Sequence, residues 1–152
     1  MRRALVLAVT ATTAAAVATA GGAVAQSSGH GKTKVLKGGY QLVLPPDPTM
    51  EATGQVGMEC FNVDPASADN HPLTLPAKGT IKIDLASTDP TGNLDWDLYL
   101  LDAKGNTIGA SNGSTSQEEV NARAGKGKVT IRACNLMGQP TASVSYVFTF
   151  KK

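Results

Sequence analysis

Histidine is almost missing from this chain: His30 and His71 are the only two in 152 residues. A serine-type hydrolase needs a histidine base held between a nucleophile and an acid. His30 sits in QSSGHGKTK and His71 in the loop-like segment ADNHPLT, and neither has a flanking motif that would place a nucleophile or an orienting carboxylate. Cysteine is equally sparse. Cys60 and Cys134 stand far apart with no CxxC spacing, which argues against a tetrahedral zinc site and against a redox dithiol. Charge of one sign is nowhere concentrated. The basic pieces, GKTKVLK at residues 31–37 and the terminal Lys151-Lys152, fall short of the clustered footprint that nucleic-acid binding requires. Aromatics make up 5% of the chain and Trp96 is the only tryptophan, so the stacking platform of a strong carbohydrate binder is thin.

The first residues, MRRALVLAVTATTAAAVATAGGAVAQ, carry a different message. Arg2 and Arg3 make a short cationic start, Ala4 to Ala20 are apolar or small, and Ala23-Val24-Ala25 puts small residues where a signal peptidase prefers them. This is the pattern of a secretory signal at residues 1–25, cleaved after Ala25. A membrane anchor would need roughly 20 strongly apolar residues, and this run is mostly Ala, Thr and Gly. The expected location is secreted and extracellular, with no membrane attachment after processing. The alanine-rich leader and low lysine content suit a bacterium of high genomic GC content. Without Arg2 and Arg3, 12 basic residues face 12 acidic ones, so the mature chain is close to neutral. Its length suits one domain. In an oxidising compartment the two cysteines are expected to pair. The bond would close a loop of about 75 residues and constrain the unfolded chain by about 4–5 kcal/mol.

The remainder reads as all-β, with short apolar segments separated by turn clusters. Strands are expected at YQLVL (40–44), ECFNV (59–63), GTIKIDL (79–85), DWDLYLL (95–101), NTIGAS (106–111), EEVNA (118–122), GKVTIRA (127–133) and SVSYVFTF (143–150). Lys104-Gly105-Asn106 is a strong hairpin signal, because glycine takes a positive φ freely. The signal peptide is the only sustained candidate for a helix. About seven or eight strands at this spacing predict a β-sandwich or jelly-roll-like fold over residues 40–152, preceded by a flexible segment at 26–39.

The segment DWDLYLL holds the most information. Strand alternation puts Trp96, Leu98 and Leu100 on one face and Asp95, Asp97, Tyr99 and Leu101 on the other. The first face should enter the core and the second should point outward, or toward an adjacent loop around Ser111. The run Asp95-Trp96-Asp97-Leu98-Tyr99-Leu100, then Gly105, Ser111 and Glu118-Glu119, resembles the bacterial pre-peptidase C-terminal domain, a β-sandwich module that follows the catalytic domains of many secreted peptidases. Tyr146 in SVSYVFTF is similar to the tyrosine of that family's closing strand. The resemblance covers roughly residues 55–150 and implies a structural role for Asp95, Asp97, Leu98, Leu100, Gly105, Ser111 and Glu118. The chain departs from the pattern after Ala124-Gly125, where KGKVTIRA carries no aromatic, and in its cysteine pair. No peptidase domain precedes the pattern, which leaves a role in maturing an attached enzyme unsupported.

Two carboxylates two residues apart also invite a chemical reading. Asp95 and Asp97 would share one side of one strand, not flank a substrate as the acids of a glycosidase do. Calcium is the better candidate, since it takes oxygen ligands from loops. STDPTGNLDWD offers Asp89, Asn93 and Asp95 as ligands, with Thr91 between them. Gly92 and Leu100, however, stand where a calcium loop would differ, and turn chemistry accounts for the same residues. Some members of the resembled family bind calcium. The sequence therefore points to a secreted, non-catalytic binding, adhesion or accessory module. Its expected partner is an extracellular protein or a cell-wall polymer, with calcium as the one cofactor weighed, and a secreted hydrolase is the least supported alternative.

Overall fold

The computed structural model describes residues 26–27, 33–53, 60–87 and 94–151. The signal peptide expected at 1–25 lies outside the described residues, as do Asp89 and Asn93. Nine strands are described: β1 (Gln26–Ser27), β2 (Thr33–Val43), β3 (Ala68–Leu75), β4 (Gly79–Ser87), β5 (Asp95–Leu101), β6 (Thr107–Ser111), β7 (Gln117–Ala124), β8 (Gly127–Met137) and β9 (Thr141–Lys151). β1 is a two-residue pairing, so eight are of substantial length. They form two antiparallel sheets, in the orders β1-β2-β9-β4-β7 and β3-β8-β5-β6. The expected all-β sandwich is the fold observed.

Alternation along the strands explains why these two sheets face each other. Ile81, Ile83 and Leu85 of β4, Val120 and Ala122 of β7, and Val144, Tyr146 and Phe148 of β9 turn inward from one sheet. Trp96, Leu98 and Leu100 of β5 and Val129, Ile131 and Ala133 of β8 meet them from the other. Trp96 is wholly buried. Each large aliphatic or aromatic side chain of this layer contributes about 1.5–3 kcal/mol. The β5–β6 hairpin closes as the sequence suggests. Gly105 has φ +84°, and Asp102 Oδ1 accepts from the amides of Lys104 and Asn106 at 2.8 and 2.9 Å.

The chain departs from the sequence reading in four places. First, β2 starts at Thr33, so residues 33–39 are strand and not part of a flexible segment. All eleven residues of β2 pair with β9. Gly38 lies opposite Tyr146, and a Cβ there would collide with the tyrosine ring. The absence of a side chain at Gly38 is what lets Tyr146 lie flat across it. Second, ADNHPLTL is a strand. Among the described residues β3 pairs only with β8, and proline is tolerated on such an edge strand. Third, residues 60–63 of ECFNV form a turn. Their backbone is claimed by side chains: Cys60 N donates to Asp97 Oδ2 at 3.3 Å, and the Arg132 guanidinium donates to Cys60 O at 2.8 and 3.3 Å. Fourth, a helical turn, α1 (Pro48–Thr53), and a 3-10 turn (Pro65–Ser67) precede β3.

These short elements cover part of the outer face of the four-stranded sheet, over Tyr99, Leu101 and Cys134. Met50, Cys60, Val63, Tyr99, Leu101, Cys134 and Leu136 form a second apolar cluster there. The expected disulfide between Cys60 and Cys134 is present and spans 74 residues. It fastens the cover to β8. Replacing both cysteines (Cys60→Ala with Cys134→Ala) is expected to lower the unfolding free energy by about 4 kcal/mol. Urea unfolding followed by Trp96 fluorescence reads this directly, and a loss below about 1 kcal/mol would contradict the loop-closure account.

Candidate functional site

The two aspartates of DWDLYLL have different surroundings. Asp97 is 2% exposed and accepts the Cys60 amide, so it lies under the cover and not in solvent. Tyr99 and Leu101 are buried beside it, at 4% and 8% exposure. The outward-facing expectation for these three fails because the segment around Cys60 supplies a lid that alternation alone does not reveal. Tyr99 and Leu101 are thus unavailable as a binding surface. The most exposed aromatic among the described residues is Phe61, 44% exposed. It meets Tyr99 edge-on at 5.1 Å and lies under the Arg132 guanidinium at 5.4 Å.

Asp95 is half-buried beside Glu118, at the end of the sandwich closed by residues 112–116. That loop is pinned on both sides: Trp96 N donates to Thr115 O at 3.2 Å, and Ser87 N to Ser116 O at 2.9 Å. Glu118 is 4% exposed. The Ser111 hydroxyl donates to its Oε2, and the Thr115 hydroxyl lies 2.6 Å from its Oε1. Burial, then the nearby Glu118 charge, pushes the Asp95 carboxyl above the usual carboxylate range. The resembled motif is therefore brought together in part. Ser111 and Glu118 bond to each other across β6 and β7, Asp95 sits close, Asp97 serves another part of the fold, and Gly105 turns the distant hairpin. Of the calcium set only Asp95 is described. Among the described residues no three His, Cys, Asp or Glu side chains gather around one point, and both Glu118 oxygens are already engaged by hydroxyls.

A second polar cluster joins the two sheets at their other side. His71 of β3 stacks on Tyr40 of β2 at 4.0 Å with an interplanar angle of 14°. The Tyr40 hydroxyl and Asp69 Oδ2 are buried without a hydrogen-bond partner among the described residues. Burial, reinforced by the Asp69 charge, drives the Tyr40 phenol far up, and burial raises Asp69. His71 is thus a packed strand residue, not a loop residue. β3 lies three strand spacings from β6 in its sheet, about 14 Å, so His71 cannot act as base to Ser111.

Asp47 and Asn135 escaped notice in the sequence because PPDP reads as a simple turn and Asn135 as part of a strand end. Asp47 Oδ1 accepts from Thr49 N at 2.8 Å and Met50 N at 3.3 Å, and Oδ2 from Asp64 N at 2.6 Å. Asn135 Nδ2 donates to Leu44 O at 2.8 Å and to Gln139 O at 3.1 Å. Both are fully buried. Asp47 ties two stretches of the cover to each other, and Asn135 of β8 holds the cover's start at Leu44 to the sheet.

No family model matches the chain, and no curated protein does. Among solved structures it is similar to the pre-peptidase C-terminal domain of a collagenase from Bacillus anthracis, at 13% identity and TM-score 0.40 over 74% of this chain and 86% of that one. That is the family which the Asp95–Glu118 pattern resembles. It is also similar to the K1 cleaved adhesin domain of Lys-gingipain from Porphyromonas gingivalis W83, at 13% identity and TM-score 0.40 over 87% and 99% of the two chains. A third is PliG of Aeromonas hydrophila, a periplasmic inhibitor of g-type lysozyme, at 12% identity and TM-score 0.36 over 82% and 92%. Likeness of this size says nothing of a shared ligand or activity.

Burial opposes ionisation of Asp47, but the amides of Asp64, Thr49 and Met50 together outweigh it and hold its carboxyl below the ordinary aspartate value. A depressed folded pKa gives stability that is complete above the unfolded value, about 3.9, and is lost as pH falls through the folded one. Asp47→Asn is expected to cost about 1–3 kcal/mol at neutral pH, since one amide loses its acceptor. The gap in Tm between the two proteins should close as pH drops from about 6 to about 2. A gap that stays constant over this range would remove Asp47 from the account.

Proposed function

We propose that the chain is a secreted, non-catalytic β-sandwich module that binds an extracellular partner, a protein or a cell-wall polymer. The observation that carries this reading is the employment of its carboxylates. Asp97, Asp47 and Glu118 spend their oxygens on the amides and hydroxyls of the fold itself, which leaves them no role as acid or base toward a substrate. The disulfide suits an oxidising compartment, and the signal-like leader supports export. Oxidised mature protein is expected in the culture medium with Gln26 at its N-terminus. Immobilised, it should retain a wall polymer or secreted protein of the producing organism without cleaving it. Cleavage of the captured partner, or an N-terminus at Met1, would contradict the reading.

Calcium stabilisation is the second reading, favoured by the repulsion between Asp95 and Glu118, which a divalent ion would relieve. In millimolar calcium the wild-type Tm should then exceed its value in chelator by a few degrees, and Asp95→Asn should abolish the difference, in line with about 2–3 kcal/mol of binding linkage. Identical melting curves with calcium and chelator remove this reading.

A further inference from the structure

The outer face of the five-stranded sheet is graded in charge. Lys82 Nζ lies 2.8 Å from Asp84 Oδ1 and 2.9 Å from Glu119 Oε2, so its charge is spent locally. The next row of the ladder sets Thr149 beside Thr80 and Thr80 beside Arg123. Beyond it, Thr33 pairs with Lys151, and Lys78 stands just ahead of β4. With Phe150, Gly79 and Ala124 these residues line a groove of about 540 Å³, within the range of about 300–1,000 Å³ that ligand sites occupy. None of the lining residues is acidic. Among the described residues Lys78, Arg123 and Lys151 form no ion pair.

We propose that this groove binds an anionic polysaccharide, a sugar polymer bearing carboxylates. The inference rests on the reading of the chain as a binding module and names its ligand class. Arg123 offers a planar fork that matches a carboxylate, and Lys78 and Lys151 offer point charges on either side. The hydroxyls of Thr33, Thr80 and Thr149 donate and accept, as sugar hydroxyls demand. Phe150, stacked on Phe148 and packed on the core, forms an apolar wall of the groove. Adjacent strands lie about 4.8 Å apart, so cations and hydroxyls recur across the groove at a spacing comparable to one sugar unit. A peptide is less suited. The groove crosses β2, β9, β4 and β7, and the backbones of β9 and β4 are paired on both sides, which leaves their ladders closed to strand addition. Three cations also make a short track for a nucleic acid.

The test is calorimetric titration of the oxidised mature protein with polygalacturonate, beside neutral pullulan, poly-glutamate and duplex DNA. Binding to polygalacturonate is expected, weakening with salt. The triple variant Lys78→Gln, Arg123→Gln, Lys151→Gln should bind about tenfold more weakly at unchanged Tm. The pair Thr80→Val, Thr149→Val keeps β-branched side chains in both strands, and should weaken binding several-fold if hydroxyls contribute. Lys104→Gln, which alters charge in the β5–β6 hairpin, should have no effect. Undiminished binding by the triple variant overturns the proposal, as does equal affinity for poly-glutamate or DNA, or no binding to polygalacturonate. If the triple variant still retains another extracellular partner at full strength, the module reading stands and the groove falls. If the protein binds polygalacturonate and cleaves it, the groove stands and the module reading falls.

Discussion

Strand β5 has two dry faces, and the rest of the molecule is arranged to keep them so. One face, Trp96, Leu98 and Leu100, is buried by the opposite sheet in the ordinary manner of a sandwich. The other, Asp97, Tyr99 and Leu101, would be open to water in a bare two-sheet structure. Met50, Cys60 and Val63 lie against it and make it a second, smaller core. A segment with one helical turn and one 3-10 turn has little cohesion of its own. It stays in place because the Cys60–Cys134 bond, Asp97 and Asn135 each fix it to the sheet, while Asp47 ties its stretches to each other.

This arrangement uses charge in an economical way. A buried carboxylate is tolerable where amides or hydroxyls surround it. Asp47 meets that condition with three amides and Glu118 with two hydroxyls. Asp95 and Asp69 do not, and both titrate upward because burial disfavours their charge. Raised carboxyl pKa values favour the folded state as pH falls through them, opposite in sign to Asp47. The fold therefore carries two opposed acid responses. Asp69 lies by Tyr40, where β2 meets β3, and Asp95 by Glu118, where β5 meets β7.

The sandwich itself was legible wherever one face of a strand was apolar and the other polar. GTIKIDL, EEVNA and GKVTIRA show that alternation and were placed within a few residues of β4, β7 and β8. Gly105 announced its hairpin because only a positive φ was at stake. The failures share one cause, which is tertiary. The start of β2 is polar and glycine-rich, and only its pairing with β9, with Tyr146 over Gly38, makes it a strand. ADNHPLT carries no strand alternation, and only pairing with β8 at the sheet edge makes it β3. ECFNV alternates like a strand, yet its backbone is captured by Asp97 and Arg132. The outward assignment of Asp97, Tyr99 and Leu101 followed correctly from period two but could not include a cover contributed from 35 to 40 residues earlier. For the candidate site, Ser111 and Glu118 emerged through a family pattern, whereas Asp47 and Asn135 carried no local signal.

The unequal treatment of the two sheets narrows where a partner can approach. The cover occupies the part of the four-stranded sheet's outer face that carries Asp97, Tyr99 and Leu101, and leaves Asn70, Pro72, Thr74 and Lys128 exposed. The five-stranded sheet has no such cover among the described residues, and its outer rows read Glu119–Asp84–Ser145, Asn121–Lys82–Val147 and Arg123–Thr80–Thr149. Polar side chains on a rigid sheet lose little freedom on binding compared with those on a loop, so modest contacts there can translate into affinity. Their sequence along the strands, from paired acid and base to unpaired base, also gives the face a direction. An anionic chain laid on it would be repelled from the Asp84–Glu119 row and drawn to the Arg123–Lys151 end. The same strand pairing that buries Ile81, Ile83 and Phe148 on the inside thus sets the order of charges on the outside, and a one-residue slip would destroy both at once.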